Sequence, residues 1–258
     1  MTHFVGIGHS HLQGITFGWN KFMVEHPGLV RYTAIQLLDA VFQPLFSIQD
    51  GKWVPNPAWQ DKMRASLQGD DVTVFLSFEG AQHFRWSFTP GPCPFDFVDA
   101  VHDDGAPLVG QLAPYELVMR VVRASFHGVR NVVEAIRGVA PVPILLLVAP
   151  PPVRDLESLI AANPWMRKQL PELMRQGDEF GVSPVGFRVK LWRVYVRVLT
   201  EIAAELGIEC QIPPQTAFDE IGALRDDMVH DILHGNVVWG SLMVRQLLNR
   251  AGVLKEAV

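Results

Sequence analysis

The sequence predicts an α/β protein built on an open parallel sheet. Short β-branched runs alternate with longer helical patterns along the chain, the signature of strand–helix–strand repetition. The most apolar run, VPILLLVAP at 142–150, is continuously hydrophobic, as expected of a strand covered on both faces. With 258 residues and 48% hydrophobic content, the chain has enough apolar side chains for one sizeable core.

Five strands are expected. HFVGIG (3–8) is the first, and GLVRYTAIQLL (28–38) contains the second. DVTVFLSF (71–78) is the third, the run 142–150 the fourth and GIECQIP (207–213) the fifth. Between them, residues 114–138 carry apolar side chains at helical spacing, with Pro114 at the start, where a missing N–H is harmless, and Gly138 at the stop. Residues 184–207 repeat that design between Pro184 and Gly207, and 237–252 form a closing helix. Each inner helix has the length that a right-handed βαβ crossover needs. Residues 39–70 and 84–113, rich in Pro, Gly and aromatics, read as long ordered loops, and 151–183 as a third excursion with a short helix around WMRKQLPELM. Loops of that length usually cover a site, so one domain over 1–258 is expected.

Composition narrows the function. A net charge of −5 and the lack of a basic run flanked by aromatics argue against nucleic-acid binding. Cys93 and Cys210 make neither a disulfide framework nor a metal-ligand spacing. The proline-broken stretch 139–153 is too short for a bilayer span, so no membrane partner is expected. The N-terminus lacks the basic and apolar regions of a signal peptide, which places the expectation in the cytoplasm. Nothing in the chain reads out the oligomeric state.

In an open parallel sheet, ligands bind beyond the carboxyl ends of the strands. Strand one is followed by Gly8-His9-Ser10-His11, strand three by Glu79-Gly80-Ala81-Gln82-His83, and the chain after strand five reaches HDILHGN, 230–236. Asp231 and His234 are three apart, a spacing that sets a carboxylate against one imidazole nitrogen while the other points away. A serine becomes nucleophilic when such an imidazole accepts its proton, and Ser10 supplies the hydroxyl.

These blocks resemble the SGNH, or GDSL-like, hydrolases. GHSHL (8–12) is similar to the family's G-D-S-L block, with His9 in the aspartate position and His11 inserted before Leu12; DILHGN (231–236) matches its D-x-x-H block. EGAQH (79–83) resembles its G-G-N-E-H block, with Ala81 on the oxyanion-hole asparagine and Gln82 one place further on. The resemblance implies a three-layer α/β/α sandwich with a flavodoxin-like five-stranded parallel sheet. It also implies a cofactor-free esterase that forms an acyl-enzyme, with Ser10 as nucleophile, His234 as base and Asp231 fixing the imidazole tautomer. The oxyanion would rest on the Ser10 amide and on donors among Gly80, Ala81 and Gln82, while His9, His11 and His83 line the substrate pocket. Small-molecule esters, acetylated sugars among them, are the implied substrates. The family's glycine after strand two has no counterpart in LLDAVFQPLF (37–46), which leaves a backbone amide around Leu38 to Ala40 for that role.

Two other readings compete. A non-catalytic binding protein would keep the fold and pocket after losing the donor at Ala81. A metal hydrolase would use His9 and His11 as an H-x-H pair, but the carboxylate-rich partner blocks are missing and eight β/α units are not available for a barrel, so no metal is expected. His9 is expected to cap the turn and His11 to lie near the pocket mouth. His230 reads as a mere neighbour of Asp231, and Arg154 as either an anion contact or a solvated loop arginine. Trp53, Trp59, Trp86 and Trp165 lie in the long loops, where they either stack on a sugar or acyl chain or pack the loop down; Trp192 and Trp239 read as helix core.

Overall fold

The first strand, His3–Gly8, is buried along its whole length and occupies an inner position in the sheet. The computed structural model describes residues 1–69, 71–78, 84, 86–89, 95–99, 108, 110–163 and 181–254. In chain order the elements are β1 (His3–Gly8), α1 (His11–Glu25), β2 (Arg31–Gln36), β3 (Phe46–Gln49), β4 (Lys52–Pro55), α2 (Pro57–Ser66) and β5 (Val72–Ser77). There follow β6 (Phe88–Thr89), β7 (Phe95–Asp96), β8 (Gln111–Leu112), α3 (Tyr115–Ala124), α4 (His127–Arg137), β9 (Ile144–Leu147) and α5 (Leu156–Ala162). The chain closes with β10 (Gly181–Val182), α6 (Val185–Glu205), β11 (Glu209–Gln211) and α7 (Val237–Arg250).

Five of these strands form one parallel sheet in the order β11–β9–β5–β1–β2. Numbered within the sheet and read from the β2 edge, that is 2-1-3-4-5, the flavodoxin-like order, whose direction reverses between β1 and β5. Gly8 is level with both Gln36 and Ser77, so the chain leaves β1, β2 and β5 along one common edge.

Side-chain alternation sorts the strands onto two cores. Val5, Ile7, Val74, Leu76, Ile144 and Leu146 pack with α2, α3, α4 and α6; Phe4, Phe75, Leu145 and Leu147 pack with α1 and α7. The result is a three-layer α/β/α sandwich. On the second face α1 and α7 meet backbone to backbone. A Cβ built on Gly240 would stand 1.9 Å from the Gly14 carbonyl oxygen, and one on Gly18 would stand 2.2 Å from the Gly240 carbonyl carbon. Only glycine permits that approach, and both helices border the functional edge.

Two expectations need correction. The helix expected over 114–138 is two helices. Ser125 and Phe126 leave the helical path, the Phe126 ring is buried edge-on against Tyr195 at 5.3 Å, and the periodicity of the flanking turns conceals the break. Residues 39–70 are not simply a loop. They hold the β3–β4 hairpin and α2, and the signals were present: Asp50-Gly51 for a tight turn, and Asn56 before Pro57 for a helix start, where Asn56 Oδ1 accepts from the Ala58 amide at 2.9 Å. In the third excursion the described helix is α5 at 156–162; the stretch WMRKQLPELM lies outside the described residues. The fourth strand is shorter than expected, 144–147, and lies between prolines at 143 and 150–152.

The long excursions are tied down beside the functional edge. Buried Arg188 on α6 donates to three carbonyls, those of Ser183 (2.9 Å), Val153 (2.6 Å) and Arg154 (3.0 Å). Lys190 pairs with buried Asp96, and Arg197 with buried Asp99 at 3.5 Å, so α6 also anchors 95–99. A third apolar cluster, Val153, Leu156, Ile160 and Ile232, joins α5 and the loop after β9 to the segment that carries Asp231 and His234. Among the described residues, no helix is long and apolar enough to cross a membrane.

Candidate active site

At the end of β1 the His9 amide donates to the Ser77 carbonyl (3.1 Å), extending the ladder by one residue, and Ser10 opens α1 with helical angles, φ −54 and ψ −31. A serine at a helix start ordinarily turns its oxygen back onto an amide two or three residues on. Here no such cap bond forms, and Ser10 Oγ lies 2.8 Å from His234 Nε2 instead. The hydroxyl thus stands at the positive, N-terminal end of the α1 dipole.

The partner segment is a tight reversal. Val229 bridges Gly235, the His230 amide donates to the His234 carbonyl (2.9 Å), and the Asn236 amide donates to the Met228 carbonyl (2.8 Å). Asn236 then caps α7, accepting from the Val238 (2.8 Å) and Trp239 (3.3 Å) amides while its Nδ2 donates to the carbonyls of Asp227 (2.8 Å) and Val229 (3.2 Å). Within the reversal, Asp231 Oδ1 accepts from the Leu233 (2.8 Å) and His234 (2.9 Å) amides, and the carboxylate lies 2.8 Å from His234 Nδ1.

Ser10, His234 and Asp231 therefore form one continuous chain of hydrogen bonds, although Ser10 and His234 are 224 residues apart in sequence. Burial pushes the Asp231 carboxyl up, but the bonds from the His234 ring and from the Leu233 and His234 amides outweigh it and bring it from 3.8 down to about 2. The carboxylate is thus ionised across the neutral range and selects the tautomer with hydrogen on Nδ1, leaving Nε2 to accept from Ser10. The His234 side chain is 22% exposed and that of Asp231 37%, so the chain of bonds opens toward solvent.

The other residues singled out from sequence fall differently. His11 is 7% exposed, with its ring centroid 4.9 Å from that of His234. The His9 ring lies against Phe78 at 4.5 Å, and burial lowers its imidazole below the usual range. The two histidines thus turn to different neighbours, and among the described residues no group of three or more His, Cys, Asp or Glu side chains is arranged to hold a metal ion. Arg154 is a solvent-exposed loop arginine, its side chain 40% exposed and its guanidinium held by Asp219 (2.7 Å) and Glu220 (2.5 Å). Of the amides considered after β2, that of Asp39 is committed to the Gln36 carbonyl at 3.2 Å, which leaves Leu38 and Ala40. Gly80, Ala81, Gln82, His83, Cys93 and Trp165 lie outside the described residues. Trp59, Trp192 and Trp239 are buried, whereas Trp53 is 55% exposed.

Sequence reasoning missed two contributors. Asn236, which fixes the reversal to α7, was legible as an Asn directly before an apolar helical run. Gly14 and Gly235 had no signal beyond being glycines. A Cβ on Gly14 would stand 2.5 Å from the carbonyl oxygen of Gly235, the residue after His234, so α1 and the reversal are in backbone contact one turn below the Ser10–His234 bond. Gly14→Ala is expected to lower kcat about 10–100-fold by shifting hydroxyl against ring. It should also destabilise by about 1–3 kcal/mol. Helix propensity alone would predict stabilisation, so a combined melt and rate measurement on this variant separates the two effects.

The chain is thus an α/β protein with a hydroxyl–imidazole–carboxylate chain at the carboxyl edge of a flavodoxin-like sheet. No protein-family profile matches its sequence, and no curated protein is recognisably related to it. Solved structures with a similar arrangement include a member of the lipolytic protein G-D-S-L family from Veillonella parvula DSM 2008, at 12% identity over 96% of this chain and 97% of that one, TM-score 0.48. The native M. smegmatis aryl esterase is similar at 10% identity over 98% and 100% of the two chains, TM-score 0.46. A GDSL-like lipase from Bacteroides thetaiotaomicron VPI-5482 is similar at 11% identity over 97% and 89%, TM-score 0.43. The site itself is read from the chain's own geometry.

Proposed function

We propose that the protein is a serine ester hydrolase working through an acyl-enzyme. The observation that carries this reading is the bonding of Ser10 Oγ to His234 Nε2 at 2.8 Å, with Asp231 on the opposite ring nitrogen. In the first half-reaction Oγ attacks the ester carbonyl carbon and its proton passes to Nε2. The tetrahedral intermediate then collapses: the carbon–oxygen bond to the alcohol breaks, the alcohol takes the proton from Nε2, and the acyl group stays on Oγ. In the second half-reaction water gives a proton to Nε2 and its oxygen attacks the acyl carbon; the acid leaves and Oγ recovers the proton. Asp231 remains ionised throughout, holding the ring and stabilising the imidazolium.

The Ser10 amide at the α1 N-terminus is one oxyanion donor in this reading, and the segment Gly80–Gln82 supplies the others. Its weak point is Ala81, which has no side-chain donor where the resembled family carries asparagine. If that donor is missing, Ala81→Asn is expected to raise kcat, by up to about 10²–10³-fold, in p-nitrophenyl acetate turnover. An unchanged rate would mean that Gln82 or another group already fills the place. The same alanine favours the alternative of a binding protein that kept the fold and lost the chemistry.

Fluorophosphonate labelling decides between them, because phosphorus is captured only by an activated oxygen. Peptide mass analysis is expected to find one adduct, on Ser10. An unlabelled protein that also fails to turn over p-nitrophenyl acetate would sink the hydrolase reading. The ester itself is proposed to be a small acyl ester, acetylated sugars included.

A further inference from the structure

The hairpin β3–β4 stands apart from the main sheet, and its turn residues Asp50 (φ 51) and Gly51 (φ 74) are both left-handed, as a tight two-residue hairpin turn requires. Its register pairs Phe46 with Pro55 and Ile48 with Trp53, so these four side chains share one face. At the base of the hairpin that face is seated on the domain, where the Phe46 ring meets buried Trp59 edge-on at 5.5 Å. Toward the tip the same face runs off the core, leaving Ile48 65% and Trp53 55% exposed. Phe46 braces the Trp53 ring edge-on at 6.4 Å. Below Trp53 lies a groove of about 250 Å³, lined across from the hairpin by polar groups of α2 and α4: Gln60, Asn131 and Glu134.

We propose that this groove is a binding subsite for one pyranose ring of a neutral glycan. A sugar ring presents an apolar C–H face and a rim of hydroxyls, each both donor and acceptor. The groove offers the matching pair of surfaces: a braced indole for the C–H face, and two amides and a carboxylate for the rim. Its volume lies below the range of sites for drug-sized ligands, about 300–1,000 Å³, and suits a single ring. The Glu134 carboxylate, 61% exposed and only loosely paired with Arg130 at 4.0 Å, disfavours an anionic ligand and accepts well from hydroxyls. An acyl chain would leave all three polar groups unused. The lining residues belong to β3, β4, α2 and α4 and their flanks, none of which supplies Ser10, His234 or Asp231, so the subsite stands whether or not Ser10 is a nucleophile.

The test is an NMR titration of ¹⁵N-labelled protein with cellohexaose, xylohexaose, mannohexaose and chitohexaose at millimolar concentration. At least one is expected to shift the Trp53 indole N–H and the Asn131 side-chain amide in a saturable way. Trp53→Ala and Asn131→Ala should each weaken that binding about tenfold or more. Trp53 is exposed, so its replacement leaves the core intact and the thermal midpoint close to the parent's; Ser10→Ala should leave the sugar response as it was. The proposal is overturned if none of the four sugars moves these signals, or if the response survives Trp53→Ala. It is equally overturned if only an alkyl detergent, below its micelle concentration, moves them.

Discussion

Ser10→Ala is expected to lower ester turnover by about 10⁴–10⁶-fold and to abolish fluorophosphonate labelling, with KM changed little. The size follows from the role: without Oγ there is no acyl-enzyme, and only water activated by His234 remains to attack the ester. The structure makes this an unusually clean substitution. An N-terminal helix serine replaced by alanine ordinarily costs about 1 kcal/mol through its lost cap bond. Ser10 makes no such bond, so the melting behaviour should stay within about 0.5 kcal/mol of the parent. A variant that melts as the parent does and has lost turnover locates the defect in the chemistry. A variant that retains turnover rules Ser10 out as the nucleophile.

The second large effect is expected from Asp231→Asn, a loss of kcat on the order of 10⁴-fold, or about 5 kcal/mol of transition-state stabilisation. An asparagine can keep the Oδ1 bonds to the Leu233 and His234 amides, so the reversal should still form. What it cannot keep is the charge. A neutral amide neither stabilises the imidazolium nor secures hydrogen on Nδ1, and when its NH₂ faces the ring it selects the wrong tautomer. Stability should respond to pH with a definite sign. A carboxyl depressed from 3.8 to about 2 contributes stability that is present above 3.8 and is lost as pH falls through about 2. The gap in thermal midpoint between parent and Asp231→Asn is therefore expected to narrow across that window and to be flat above it. A gap unchanged from pH 5 down to pH 2 would show that the carboxylate's bonds contribute nothing to folding.

Much of the sheet was legible because strand formation here is governed by local pattern. The five parallel strands lie where the β-branched runs lie, and the glycine and proline boundaries of α6 fell within two residues of their expected positions. The misses have local causes too. Periodicity cannot see a two-residue break such as Ser125–Phe126, and a high content of Pro and aromatics in 39–70 obscured the turn and cap signals that build β3, β4 and α2. For the candidate site, Ser10, Asp231 and His234 were nominated by residue type and by their places beyond the strand ends. The His11–His234 ring contact was not legible, because sequence says which helical turn a residue occupies, not which neighbour its ring meets. The ion-pair partners of the exposed Arg154 were not legible, because Asp219 and Glu220 are 65 and 66 residues away.

Local order in the chain was enough to give the parallel α/β sheet and to nominate Ser10, Asp231 and His234, since hydrophobic periodicity, helix punctuation and the Asp231–His234 spacing are all short-range features. Long-range packing brought a hydroxyl from early in the sequence to an imidazole 224 residues on, set the His11 ring against that of His234, and put Trp53 in one groove with Gln60, Asn131 and Glu134. These are outcomes of packing. The separation of Ser10 and His234 is set by how closely two helix backbones approach through Gly14, Gly235 and Gly240, a distance that the volumes of all the residues between the layers fix together and that no local stretch encodes.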